Sequence, residues 1–290
     1  MAVSVRVKSF DLVAQDISEA DVQALHALSL GVGWPHRPAD WELLRRVGQG
    51  IVAVDEIGRI FGSAMWFPHG EDFATVGLVI TTPRAQANGA GRWLMEQVMD
   101  KCRGRSLALN STRAAYPLYM SLGFDAEGKV SMHDGVVSAV PTLPKPDGIL
   151  SELPAQSVHE VSALDKAAFG TERAQLLRVL SEAAVTCVLR RDGEVAGYAM
   201  RRNFGAGQVI GPVVASNEAD AMQMVAWHLA SLEGKYTRID TREEGAFAEF
   251  LVACGLHPTE VTTTLSKGRR FLNRSQNAPW VYGLAGHALG

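Results

Sequence analysis

Cysteine is scarce in this chain of 290 residues: Cys102, Cys187 and Cys254 lie far apart and share no CxxC spacing. An odd number at such distances excludes a zinc ribbon and a disulfide framework, and no metal is expected. Each thiol sits among apolar neighbours, so buried free cysteines are the expectation. An excess of one charge is also missing, with 28 basic residues against 31 acidic ones and a net charge of −3. Without a basic run or stripe there is no electrostatic footprint for nucleic acid. No apolar stretch approaches the ~18 residues of a membrane span, and MAVSVRVKSF lacks the apolar core of a signal peptide. These absences leave a cytoplasmic protein with neither nucleic acid nor membrane as partner.

What remains is material for a well-packed fold. Hydrophobic residues make up 47% and charged residues 20%, near the averages for soluble globular proteins, and the length suggests about two domains. SEADVQALHALSL (18–30) carries Val22, Leu25 and Leu28 at helical spacing, with Ser18 and Asp21 placed as a capping box. DWELLRRV (40–47) reads as a second helix, and IVAVDEIGRIFGSAMWF as a β-hairpin. TVGLVITT is a further strand; from Arg92 the period becomes 3.6, with Leu94, Val98 and Cys102 at steps of four. RSLALN is the next strand, and STRAAYPLYMSLGF a short helix closed by Gly123.

Residues 141–154, PTLPKPDGILSELP, hold four prolines and read as a linker. Beyond it the plan returns. VTCVLRRDGEVAGYAM repeats the hairpin with Gly197 for Gly62, FLVACGLHP echoes YMSLGFDA with Gly255 for Gly123, and Gly268 stands for Gly135. The offsets are 135, 132 and 133 residues, a near-constant period that marks an internal repeat. Two copies of one α/β (α+β) domain are expected: 1–140, the linker 141–154, and 155–290.

The joint at Gln86, Gly89 and Gly91, after a strand and before an amphipathic helix, poses the functional question. A helix start carries unpaired N–H groups and a partial positive charge. It is therefore an anion site, and glycines let a phosphate approach the backbone. The G-x-G-x-x-G and G-K-[ST] patterns of dinucleotide and P-loop sites are absent. A plain strand-to-helix turn explains the glycines alone equally well.

The surroundings decide. Q-x-x-G-x-G at Gln86, Gly89 and Gly91, followed after a helix and a strand by Tyr119, Gly123 and Phe124 as Y-x-x-x-G-F, resembles the GNAT superfamily of N-acetyltransferases. The later segments LDKAAFGTERAQLL and IGPVVA are similar to the degenerate partner domain of bacterial tandem proteins of this kind. The resemblance implies two domains, each a mixed, mostly antiparallel sheet flanked by helices, with 1–140 catalytic. It implies acetyl-CoA as cosubstrate, its pyrophosphate on the amides of Gln86, Ala87, Asn88, Gly89, Ala90, Gly91 and Arg92. The pantetheine arm would pair with the backbone of Leu78, Val79 and Ile80 where two parallel strands splay.

Acetyl transfer to an amine then needs a proton acceptor for the amine and a proton for the departing thiolate. Tyr119, aligned with the tyrosine that lies near the sulfur in many such enzymes, is the candidate donor; Tyr116 is a weaker rival. The base is not legible, because the strand ATVGLVITT has no carboxylate. His36 with Asp40, His69 with Glu71 and Asp72, and His26 are candidates that ordinary loops and helices also explain. In the second copy Glu218 and Asp220 stand in the first turn of the helix that corresponds to the glycine joint, with Ser216 as its cap, and Tyr119 has no counterpart. That copy is expected not to catalyse but to close the substrate pocket, fix acceptor specificity or stabilise the first domain, with Asp165, Phe169 and Arg173 as candidate lining of that pocket. The segment NAPWVYGLAGHALG would cover the seam between domains or a contact in a homodimer. The expected activity is transfer of acetyl to a small-molecule or peptide amine by direct attack on the thioester. A non-catalytic acyl-CoA-binding or regulatory module is the alternative.

Overall fold

The computed structural model describes residues 4–7, 10–83, 85, 86, 89–272 and 278–290. Strands β1 (Ser4–Val7) and β2 (Phe10–Asp16) precede helices α1 (Val22–Leu30) and α2 (Pro38–Val47). Strands β3 (Gln49–Val54), β4 (Ile60–His69) and β5 (Phe73–Thr81) follow, then α3 (Ala90–Lys101), β6 (Ser106–Ser111), α4 (Tyr116–Ser121) and β7 (Asp125–Val136). The second half repeats this order. Strand β8 (Ile149–Leu153) leads to α5 (Ser162–Phe169), α6 (Ala174–Ser181), β9 (Ala184–Arg191), β10 (Glu194–Phe204) and β11 (Gly207–Ala215). Then come α7 (Glu218–Leu229), β12 (Tyr236–Thr241), α8 (Ala246–Ala253), β13 (His257–Lys267) and a last strand, β14 (Trp280–Gly283). The latter part of the expected linker is thus strand: β8 pairs with β9.

Local chemistry accounts for the helix starts. Asp21, not Ser18, caps α1, its carboxylate accepting from Gln23 N at 2.9 Å. Asp16 takes Ser18 N instead, so the capping box does not form. α2 begins two residues earlier than its apolar pattern, at Pro38, whose missing N–H costs nothing at a first helical position. Gly123 and Gly255 both close their helices with positive φ, +79° and +88°. The pair Gly62 and Gly197 has a packing reason common to both copies. A Cβ on Gly62 would lie 2.6 Å from Ile80 O and 3.0 Å from Leu94 of α3; on Gly197 it would lie 2.7 Å from Met224 of α7 and 3.1 Å from Val214 O. The missing side chain is what lets each helix lie on its sheet.

The two halves share one fourteen-stranded sheet, ordered β1-β2-β3-β4-β5-β6-β13-β7-β12-β11-β10-β9-β8, with β14 added against β11. Among the described residues only β5 with β6 and β11 with β12 are parallel. The centre is an exchange. β13 of the second half lies between β6 and β7, and β7 of the first half lies between β13 and β12. One apolar cluster is common to both halves, joining Leu25, Trp41 and Phe73 to Phe169, Tyr198 and Val281. Separate clusters pack α3 and α4 against the first half and α7 and α8 against the second. Full burial of such a side chain contributes about 1.5–3 kcal/mol, so the shared cluster ties the halves strongly. The three cysteines are buried and free; burial pushes the Cys102 and Cys254 thiols up to about 11 and Cys187 to about 12, which leaves them inert as nucleophiles. Among the described residues no helix is long and apolar enough to cross a membrane.

Candidate active site

The parallel pairing of β5 and β6 runs from Phe73 opposite Ser106 to Val76 opposite Leu109 and then stops. On its other side β5 breaks register with β4: Ser63 faces Ile80 and Met65 faces Gly77, so Leu78 and Val79 together oppose Ala64. This is a β-bulge, which bends the strand away from its neighbour. Leu78 takes φ +52°, a conformation costing a non-glycine residue on the order of 1 kcal/mol. Ser63 Oγ holds it there by donating to Leu78 O at 2.8 Å. The strands therefore part beyond Val76, leaving backbone from Gly77 to Ile80 beside a gap.

At the end of β5 the chain turns through Thr82, whose carbonyl accepts from Ala85 N and Gln86 N at 2.9 and 3.1 Å. Gln86 Nε2 donates to Thr81 O at 3.1 Å. Ala87 and Asn88 lie outside the described residues. Gly89 is the N-cap of α3, at φ +84° with no side-chain cap, and a Cβ on it would meet nothing within 4 Å. The first turn of α3 contains no acid. Its opening amides thus present a partial positive charge to open space. Arg92 adds a full charge, with its guanidinium on Ser121 Oγ at 2.6 Å and 3.6 Å from Glu96.

These parts face one groove of about 850 Å³, lined by Val79, Ile80, Thr81, Gln86, Gly89, Gly91, Arg92, Thr112, Leu118 and Tyr119. Of the sequence candidates, Leu78 borders the neighbouring cavity instead, and Ala90 is buried beneath the helix start. Tyr119 is 5% exposed, its ring edge-on to Phe124 at 6.0 Å. Burial raises its phenol well above the ordinary value, so it keeps its proton at neutral pH. Tyr116 does not line the groove.

A second cavity of about 340 Å³ adjoins the groove, and Trp34 and Thr112 line both. Both halves build it. Gly77, Leu78 and Asn110 come from the splayed strands, Arg202, Arg238 and Glu260 from the second half, and 286–289 from the closing segment. The candidate bases fare differently here. Asp40 is tied down by Arg37 N and guanidinium at 2.8 and 2.7 Å and by Gly205 N at 2.9 Å. His69 is buried against Phe73 and Phe169, with Nε2 3.1 Å from Thr75 Oγ1; burial lowers it to about 3. Glu71 and Asp72 are exposed and line neither cavity. His26 Nδ1 bonds the carbonyl of His36 at 2.6 Å and so fixes that loop. His36 does line the cavity, set among Trp34, Trp41 and Phe204, and burial drops it to about 4.

In the second half the corresponding features are closed by the chain itself. Asn217, not Ser216, caps α7, accepting from Asp220 N at 2.9 Å. Asp220 sits in the first turn and is held by Arg191 at 2.6 and 2.9 Å. β11 and β12 pair only at Gln208 with Thr237 and Val209 with Arg238. Where they part, β14 enters: Val213, Val214 and Ala215 pair with Gly283, Val281 and Trp280. Thr241 Oγ1 donates to Tyr282 O at 2.6 Å, and Leu284 N to Asp240 O at 2.8 Å. The splay that is open in the first half is filled by β14 in the second.

The chain then crosses to the first half. Asn110 Nδ2 donates to His287 O at 2.8 Å, and Gly77 approaches Ala288 so closely that a Cβ there would lie 2.3 Å from the alanine's own. Arg173 donates to Gly290 O at 3.0 Å while paired with Asp165, both side chains fully buried. Phe169 lies 3.7 Å under the guanidinium, and Tyr198 donates to Asp165. Asp165, Phe169 and Arg173 therefore anchor this segment and do not line the cavity. His287, Asn110, Arg202 and Arg238 escaped the sequence reading because each gains its place only when the halves meet. Asn110, for instance, is of the first half and spends its amide on the His287 carbonyl of the second at 2.8 Å.

A bulged strand splaying from a parallel neighbour, opposite an uncapped glycine-led helix and a buried phenol, defines an α/β enzyme of acyl transfer. Two family models, both described as acetyltransferase (GNAT) domains, match residues 41–141 and 161–280, together more than half of the chain. The chain belongs to the GNAT family, as two such domains in tandem, and is an N-acetyltransferase of that type. It is 27% identical to the uncharacterized N-acetyltransferase YitH of Bacillus subtilis over 279 residues, 94% of this chain and 97% of that one. A Pyrococcus horikoshii structure named as a candidate acetyltransferase shares the fold with TM-score 0.80 at 17% identity, covering 99% of this chain and 98% of its own. A tandem GNAT protein of the clavulanic acid biosynthesis pathway aligns with TM-score 0.62 at 16% identity, over 89% of this chain and 99% of its own.

Proposed function

We propose that residues 1–140 form the catalytic domain, that this domain takes acetyl-CoA, and that it passes the acetyl group to an amine held in the cavity between the halves. The observation that carries this reading is the convergence of Val79 from the bulge, the helix start at Gly89 and Tyr119 on one groove. Amides of residues 86–92 would hold the pyrophosphate, and Gly89, with open space where a Cβ would stand, gives it room. The parted backbone at Leu78, Val79 and Ile80 would take the pantetheine arm as an added strand takes its neighbour. Acetyl-CoA supplies an activated acyl group as its thioester. N–H groups at Val79 and Ile80 would polarise that carbonyl, and Tyr119 would give its proton to the departing sulfur. The acceptor, a small molecule or a peptide end, enters by the smaller cavity. Residues 155–290 shape that cavity and take no cofactor, because β14, Asn217 and Asp220 fill their own site.

Isothermal titration with acetyl-CoA is expected to give one site per chain. Release of CoA across a panel of simple amines, aminoglycosides, amino acids and peptides is expected to reveal an acceptor. Two sites would refute the reading of the second half. Binding without release over the whole panel would move the assignment to a binding module.

A further inference from the structure

We propose that His287, brought to the first half's site by the closing segment of the second, accepts the proton of the attacking amine, with Asp240 as its positioning partner. This rests on the acyl-transfer reading above. Strand β5 carries no carboxylate, so a base has to come from elsewhere. Gly77 and Asn110 are the first residues beyond the last paired positions of β5 and β6. Both hold the segment that bears His287: Asn110 through the His287 carbonyl, and Gly77 through Ala288. The segment thus crosses the mouth of the splay, and His287 lines the cavity that adjoins the groove.

Its two nitrogens have different surroundings. Nε2 is buried with no hydrogen-bond partner among the described residues and lies 3.6 Å from Asp240 Oδ1. The side chain as a whole is 23% exposed, and with Nε2 turned to Asp240 it is Nδ1 that would take the proton. Asp240 is fixed in turn by Arg238, at 2.7 and 2.9 Å. A carboxylate behind Nε2 favours the tautomer with hydrogen on Nε2 and a lone pair on Nδ1. The charged groups around the ring are Asp240 and Arg238 of β12, Arg242 beyond it, Glu260 of β13 and His36. Burial lowers His287 below its ordinary value, with Asp240 and Glu260 opposing and Arg238 and Arg242 assisting. The ring is therefore neutral and able to accept a proton at pH 7.

The step balances within these groups. The acceptor nitrogen bonds to the acetyl carbon and loses a proton to His287 Nδ1. The C–S bond breaks with its electron pair on sulfur, which takes the Tyr119 proton. Exchange with solvent restores both residues. The rivals are less suited: His36 has its Nδ1 buried and is depressed to about 4. Asp134 already accepts from Thr259 Oγ1 at 3.0 Å, and Glu260 is an exposed carboxylate.

The test has two arms. In histidine-labelled protein without ligands, nitrogen NMR, with the His287 signal assigned by its loss in His287→Gln, should show a ring unprotonated at Nδ1 at pH 7. That ring should titrate below the ordinary 6.5, and lower still in Asp240→Asn. A ring still protonated at pH 8, or one carrying its hydrogen on Nδ1, overturns the proposal. In the second arm CoA release is followed against pH with butylamine, benzylamine and agmatine. Wild-type rate should rise with pH as His287 deprotonates. His287→Gln should lose about 100-fold in kcat together with that rise, with acetyl-CoA affinity and Tm unchanged, and added imidazole should restore His287→Ala. A full rate in His287→Gln, or loss of the pH rise in Glu260→Gln instead, overturns it. Failure of wild type to turn over any amine counts against the acyl-transfer reading, and the NMR arm still decides His287.

Discussion

A phenol can donate a proton only while it keeps one, and at Tyr119 desolvation secures that. Replacing Tyr119 by Phe removes one oxygen and leaves the ring on Phe124. The expected outcome is a fall in kcat of about 100-fold, with acetyl-CoA affinity within about twofold and no loss of Tm. Turnover at the wild-type rate would show that the side chain merely packs. Tyr119 was legible because its spacing to Gly123 and Phe124 survives in the linear chain. Asp40 and His69 stayed open in the sequence for a general reason: a histidine near carboxylates looks the same there whether it lines a cleft or fastens a loop. Only the structure shows Gly205 N and Arg37 consuming Asp40.

At the scale of elements, the start of α3 and the end of β5 define the groove, and they were not equally legible. The glycines announced the helix start. The bulge at Leu78 gave no sign, because TVGLVI reads as an unbroken strand and its break comes from a partner, Ser63, fifteen residues away. WVYG gave none either, since four residues of an apolar segment acquire strand character only by entering the gap between β11 and β12. Gly91 offers a test that separates the anion site from helix stability. It lies within the helix, and an added Cβ would meet Leu118 and Thr81 at ordinary contact distances of 3.5 and 3.8 Å. Gly91→Ala should therefore hold or raise Tm, since alanine favours a helix by up to about 1 kcal/mol over glycine. The same methyl projects into the groove and should weaken acetyl-CoA binding roughly tenfold, about 1.4 kcal/mol. A raised Tm with unchanged affinity would place the diphosphate elsewhere.

At the scale of the molecule, the repeat was visible in its glycine offsets, but the exchange of strands was not. β7 and β13 hold corresponding places in the two copies, and the sequence pattern alone gives no reason to prefer the crossed arrangement. The physical consequence is large. Among the described residues β7 finds its sheet partners only in β12 and β13, both of the second half, and β6 is covered on one side by β13. A first half made alone would leave β7 without a neighbour and β6 with a bare edge, which invites aggregation. It would also lose the share of the common core given by Phe169, Tyr198 and Val281, and the Arg202 side of the cavity between the halves. Residues 1–140 expressed alone should therefore be insoluble or unfolded and fail to bind acetyl-CoA, whereas co-expression with 141–290 should recover a one-to-one complex that binds it. The full chain should unfold in one calorimetric transition, because breaking either half unpairs the other. Two separate transitions, or an isolated first half with native affinity, would show that the exchanged strands only decorate two independent domains.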